Sequence, residues 1–231
     1  MATSNQSSQT IPRVRTRRGG DVTAARILDA AEELFAERGY AGTTLRDVAG
    51  RVGVRNPSIY NHFAGKEALY QAVLERVVGP VLESLSELVE AGPDADRGQV
   101  ITRTMEVLGQ HPNFPRLLLQ ESLAGGEQLT GLLGEWLTPL FTRSDELVRR
   151  TSAAEMWTNE DLPLLILAMY QIVVGYFTVA PLYERLVGVD LLAEDMRHRQ
   201  HQLLRRLADL LFPLPAARPP LPGDGSLKGE S

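Results

Sequence analysis

The sequence predicts an all-α protein in two parts, three short helices followed by a longer helical bundle. Three observations carry that expectation. Apolar residues recur at spacings of three and four, no stretch alternates apolar and polar residues as a half-buried strand would, and Gly, Pro and Asn punctuate the pattern at helix-length intervals. With 231 residues, 43% hydrophobic and 23% charged, the chain is long enough to bury a sizeable core in one large domain or two smaller ones.

The elements follow in order. Residues 1–20, MATSNQSSQTIPRVRTRRGG, have no apolar run for a signal peptide and read as a basic disordered arm, so the chain is expected in the cytoplasm. Ala24, Ile27, Leu28, Ala31, Leu34 and Phe35 mark a first helix that Gly39 stops. Thr44 and Asp47 have the spacing of a capping box, with Leu45, Val48, Ala49 and Val52 behind them, so a short second helix ends near Gly53. Asn56 suits the N-cap and Pro57 the first position of a third helix about two turns long, anchored inward by Ile59 and Phe63. Leu69, Val73, Val77, Leu85 and Leu88 extend a fourth helix to about Glu90, where Pro80 is expected to introduce a kink.

After the loop AGPDADRG at 91–98, helices are expected near 98–110, 113–124, 127–151, 160–186 and 191–212, separated by His111-Pro112, Gly125-Gly126 and Gly188. Residues 213–231 read as a disordered tail. The expected division is therefore a module over 21–67 and a second helical domain over 68–212.

Charge is unevenly shared between these parts. The net charge is −5, yet residues 1–66 hold ten Lys/Arg against six Asp/Glu, leaving 14 against 23 for the rest. A basic amino-terminal module can meet phosphates while an acidic body does not.

Several chemistries are disfavoured. There is no Cys, so disulfides, thiolate metal sites and cysteine nucleophiles are excluded, and His198 and His201, three apart in a charged stretch, are expected to be solvated. No GxSxG, GxGxxG or Walker motif is present. Neither an enzyme built on a lone Glu121 or His111 nor a helical ligand carrier accounts for Asn56-Pro57 and the charge split. No metal or cofactor is expected.

Residues 162–183, LPLLILAMYQIVVGYFTVAPLY, carry no charge and are long enough to span a bilayer. Pro163 and Pro181 near the ends, the interrupting Gln171 and Thr178, and the lack of a second span favour a helix covered on both sides by protein, one side by its own core and the other by a second subunit.

Two short helices joined by a tight turn containing Gly form the helix-turn-helix arrangement, whose second helix can enter the major groove. The run GVRNPSIYNHFAGKEALY at 53–70 then makes sense as a cluster of donors for phosphate oxygens and base edges. The arm RVRTRR has two readings: it reaches into the minor groove, or it adds only diffuse attraction, the reading preferred here; both raise salt sensitivity.

TTLRDVAGRVGVRNPSIYNHFAGKEALY at 43–70, preceded by ILDAAEELFAERGY, resembles the DNA-binding domain of the tetracycline-repressor (TetR) family over residues 24–74. The resemblance implies a three-helix DNA-binding domain joined by a long fourth helix to an all-helical ligand-binding and dimerisation domain. It further implies a homodimer on double-stranded DNA with a palindromic operator, and repression relieved by a small molecule. An activator or partner-controlled regulator of the same fold is the alternative. By the same resemblance Thr44, Ser58, Tyr60, His62 and Lys66 would contact phosphates, Lys66 from the amino end of helix four. Arg46, Arg55, Asn56 and Pro57 would approach base edges, Arg46 and Arg55 by paired hydrogen bonds to guanine unless Arg55 clamps the backbone instead.

The later helices resemble the family's regulatory domain only loosely. The last two would form a four-helix dimer interface, for which the charge-free stretch and Met196, Leu203, Leu207 and Leu210 supply apolar faces. Met105, His111, Phe114, Trp136, Met156, Trp157, Met169, Tyr170, Tyr176 and Phe177 are candidates to line an effector cavity, Phe114, Trp136 and Tyr170 foremost. The effector is expected to be apolar or aromatic. It would displace helix four and spoil the spacing of the two recognition helices; a preference of about 3 kcal/mol for the misfit state lowers operator affinity on the order of 100-fold.

Overall fold

The computed structural model describes residues 21–92, 98–124, 127–150 and 156–212, and among these no strand occurs. The expected arm and tail, and most of the 91–98 loop, lie outside the described residues. The amino-terminal helices are α1 (Asp21–Arg38), α2 (Leu45–Val52) and α3 (Asn56–Tyr60), followed by the long α4 (Lys66–Ala91). Then come α5 (Gly98–Gln110), α6 (Phe114–Ala124), α7 (Glu127–Arg149), α8 (Asp161–Val187) and α9 (Glu194–Leu211).

Two glycines set the amino-terminal geometry. Gly39 and Gly53 adopt φ of 71° and 76°, a left-handed conformation that a Cβ disfavours, and their N–H groups close α1 on Phe35 O and α2 on Ala49 O. Beyond Gly39 the Thr43 hydroxyl, 1% exposed, reaches the Leu34 and Gly39 carbonyls at 3.1 and 3.0 Å, satisfying acceptors that the end of α1 leaves open.

Helix α3 differs from expectation in length and cap. It holds five residues, and the extended residue at its start is Arg55, not Asn56, with no side-chain cap bond. Pro57 is tolerated one position later because the first four amides of a helix have no internal acceptor in any case. After Tyr60 the amides of His62 and Phe63 both return to Ile59 O at 2.9 Å, tightening the last turn as Phe63 enters the core. Pro80 sits inside the continuous α4.

One apolar core joins the two parts. Ile27, Leu34 and Phe35 of α1, Val48 of α2, Ile59 of α3, and Leu69, Tyr70, Val73 and Leu74 of α4 pack together, and the same cluster continues through Leu117 of α6 and Phe177 of α8 to Leu204 of α9. Each fully buried aliphatic or phenyl group contributes about 1.5–3 kcal/mol, so α4 is held over most of its length by both halves.

Helix α8 is two-faced by burial although apolar all round. Leu162, Ile166, Val173, Phe177 and Ala180 point inward at helical spacing, whereas Leu164, Leu167, Ile172, Val179, Leu182 and Leu186 are exposed. Its length and apolarity pass the test for a membrane span, and it is the one described helix that does. On α9, Leu204 is fully buried while Leu203 and Leu210 are exposed and Leu207 is half-buried, so part of the apolar stripe expected there faces outward.

Candidate nucleic-acid interface and apolar cavity

The second and third helices are held rigidly enough to present side chains. At the start of α2 the Thr44 amide and hydroxyl donate to Asp47 Oδ2 at 2.9 and 2.6 Å, and the Asp47 amide donates to Thr44 Oγ1 at 3.2 Å, completing the capping box. The Thr44 side-chain hydrogen bond, with its backbone one, holds the Asp47 carboxyl below the usual carboxylate range. Because folding lowers that pKa, the cap stabilises α2 above the ordinary carboxylate range and loses its effect as pH falls through the lowered value.

Thr44, Arg46, Arg55, Asn56, Pro57 and Tyr60 are exposed on α2, the turn and α3, with Ser58 and His62 half-buried beside them and Ile59 fully buried behind. The arginines of this module divide in two. Arg51 pairs with Glu33 at 2.8 Å and Glu37 at 3.5 Å, Arg26 donates to Val52 O at 2.9 Å, and Arg38 lies 3.9 Å from Asp47. Arg46 and Arg55 make no ion pair among the described residues, which leaves their guanidinium donors for an external acceptor. Arg46→Ala is expected to flatten base preference at one operator position, costing about 1–3 kcal/mol on the preferred sequence and little on others. Tyr60→Ala is expected to weaken all sequences alike; titrations on matched and scrambled duplexes separate the two, and equal losses for Arg46→Ala refute its base-reading role.

Lys66, expected as a phosphate contact, is the first residue of α4. Its ammonium lies 4.2 Å above the Tyr40 ring and is half-buried, and desolvation lowers its pKa against an opposing pull from Glu121. Tyr40 packs on Phe35 and Tyr70, its ring centroid 6.0 and 5.1 Å from theirs. The Tyr40 amide donates to Glu121 Oε1 of α6 at 2.7 Å, and Glu121 is 5% exposed. Lys66 therefore stands at the amino end of α4 in a cluster that α6 helps to build.

A second buried carboxylate ties three elements together. Glu32 of α1, 4% exposed, accepts from Arg76 Nη2 of α4 at 2.6 Å and contacts His111 Nδ1, between α5 and α6, at 2.9 Å. Arg76 Nη1 also reaches Asp29 at 2.7 Å. Neither Glu32 nor Glu121 is marked by any local sequence signal, because Glu32 lies on a helix among other acidic residues, Glu121 is the lone acid of α6, and each is paired only by tertiary packing.

Between the helices of the second part lies a cavity of about 210 Å³. Val77 and Val81 of α4, Phe114 and Leu118 of α6, Phe141 of α7 and Tyr170 of α8 are among its walls. Of the residues expected to line it, Phe114, Tyr170 and Met169 do. Met105, His111, Trp136 and Tyr176 do not, and each has another job. Met105 is buried in the core, His111 is paired with Glu32, Trp136 packs against the main core, and the Tyr176 hydroxyl donates to Leu191 O. Trp157 likewise donates to Leu211 O at 3.2 Å, and Met156 is exposed. The other wall residues are mainly aliphatic ones contributed by α4 to α8, with Phe141 and Ser144 among them; the helical stripe of α4 carries a signal, but it does not tell a cavity wall from a filled core.

A helix-turn-helix with outward arginines, joined by one long helix to a helical body, defines a DNA-binding transcriptional regulator. The description "Bacterial regulatory proteins, tetR family" matches residues 27–73, and "Tetracyclin repressor-like, C-terminal domain" matches residues 93–207. The chain belongs to the TetR family. It is 30% identical over 182 residues to the HTH-type transcriptional regulator RutR of Escherichia coli K12, covering 78% of this chain and 86% of RutR. It is 34% identical over 122 residues to EthR of Mycobacterium tuberculosis, covering 50% of this chain and 56% of EthR. Among solved structures it is similar to Mycobacterium smegmatis AmtR, with 27% identity and a TM-score of 0.61 over 86% of this chain and 90% of that one. The transcriptional regulator FadR of Bacillus subtilis, in complex with stearoyl-CoA, shares the fold at 21% identity and a TM-score of 0.57, covering 78% of this chain and 96% of that one.

Proposed function

We propose that the protein is a cytoplasmic homodimeric repressor that binds a palindromic operator and is released when a small apolar or aromatic effector enters the cavity. The observation that carries this reading is the shared wall: α4 and α6 line the cavity, and the same two helices hold the helix-turn-helix through Arg76–Glu32 and Glu121–Tyr40. The exposed apolar faces of α8 and α9 supply a twofold seam, and a dimer reads half-sites about one helical turn apart. That FadR is seen with stearoyl-CoA supports a small-molecule effector in this fold.

In the unliganded state Arg46, Arg55, Asn56 and Pro57 face base edges, and Thr44, Ser58, Tyr60 and His62 face phosphates, with Lys66 at the edge of the set. An effector that favours a displaced α4 and α6 changes the separation of the two recognition helices, and by reciprocity operator DNA weakens effector binding by the same factor. Footprinting of the full chain on DNA flanking its own gene tests the reading. A protected inverted repeat supports it, and no preference for any inverted repeat over random duplex refutes it.

A further inference from the structure

The cavity is selective in a way that its position alone does not dictate. Among its described lining side chains there is no Lys, Arg or His. The single charged one is Asp209 of α9, an exposed residue. Arg205 lies against Gly98 but is not part of the wall. A carboxylate or phosphate inside would be desolvated with no cation among the described lining side chains to offset it, at a cost of several kcal/mol, and the exposed Asp209 carboxylate would repel an anionic head near it.

Polar groups on the wall are few and unequal. The Thr104 hydroxyl already donates to Val100 O at 2.7 Å. The hydroxyls of Ser144 and Tyr170 make no hydrogen bond among the described residues. Phe141, whose ring centroid lies 5.7 Å from that of Tyr170, is one turn from Ser144 on α7, so both hydroxyls belong to the α7–α8 side. Burial raises the Tyr170 pKa, which keeps the group a donor at any ordinary pH. An apolar protein cavity of about 150 Å³ takes benzene, so one of 210 Å³ accommodates a ring with a small substituent.

We propose that the effector is an uncharged, mainly apolar molecule bearing one hydrogen-bond acceptor such as a carbonyl, held by the Tyr170 and Ser144 hydroxyls, and that the cavity rejects carboxylates and acyl thioesters of anionic carriers. This rests on the cavity being the effector site.

Calorimetric titration of the full chain at pH 8 with toluene, acetophenone, benzoate and benzoyl-CoA tests it. Acetophenone is expected to bind at least about tenfold tighter than benzoate or benzoyl-CoA. Tyr170→Phe, with Ser144→Ala as a second variant, is expected to weaken acetophenone about 3- to 10-fold while leaving toluene unchanged. Benzoate or benzoyl-CoA binding as tightly as acetophenone overturns the proposal, as does an unchanged acetophenone-to-toluene ratio in both variants. If no probe binds, the effector reading falls with it. If acetophenone binds with the stated selectivity but leaves operator affinity unchanged, the selectivity stands and the effector reading alone is refuted.

Discussion

Leu182→Glu on α8 is expected to convert the protein to a monomer and to weaken operator binding on the order of 100-fold or more. Leu182 is 50% exposed on a face that also carries Leu164, Val179 and Leu186, and Leu203 and Leu210 of α9 are exposed as well. If this face closes against a second copy, a carboxylate placed there loses its water without gaining a partner, a penalty of about 3–5 kcal/mol. A monomer then offers one five-residue recognition helix where two are needed, so avidity is lost along with the seam. Sedimentation and operator titration at matched concentrations check this. Leu123→Glu is the control, because Leu123 is 79% exposed on α6, a helix outside the proposed seam, and is expected to change neither readout. A wild-type chain that sediments as a monomer refutes the seam.

Arg76→Ala is expected to lower stability by about 3–5 kcal/mol, since it strips a buried carboxylate of its cation. Glu32 would retain only the His111 contact, and Asp29 would lose its partner as well. For a chain of this size each kcal/mol moves Tm by roughly 2–4 °C, so thermal denaturation should show a fall on the order of 10 °C. Arg51→Ala is the contrast. Its pairs with Glu33 and Glu37 are exposed and worth about 1 kcal/mol or less. Equal effects of the two substitutions would show that burial of Glu32 does not amplify its pairing.

Much of the fold was legible because its signals are local. The Thr44–Asp47 box, the Gly53 turn and the inward Ile59 and Phe63 depend on residues within a few positions of each other, and the helix ends beyond Gly98 fall within about three residues of the expected ones. The cap of α3 falls one residue earlier than expected: N-cap propensity favours Asn56, yet the extended residue is Arg55, which makes no side-chain cap bond. The site was less legible. Counting basic residues does not distinguish Arg51, engaged by Glu33, from Arg46, left open; that depends on α1 lying across α2. The cavity wall escaped a search for aromatic residues because Val77, Val81 and Leu137 line it as fully as Phe114 does. His111 is absent from the wall because it meets Glu32, 79 positions away in the chain, a pairing that no local spacing signals.

The Glu121–Tyr40 hydrogen bond has a mechanical meaning. Phe114, Leu118 and Glu121 stand on successive turns of one rod, so a guest that pushes the first two outward tugs on the backbone between α1 and α2. On the proposed effector reading, that gives the DNA-reading head a short lever of its own, geared to the guest without the long shaft of α4. Stiffening α4 alone would therefore not silence the switch.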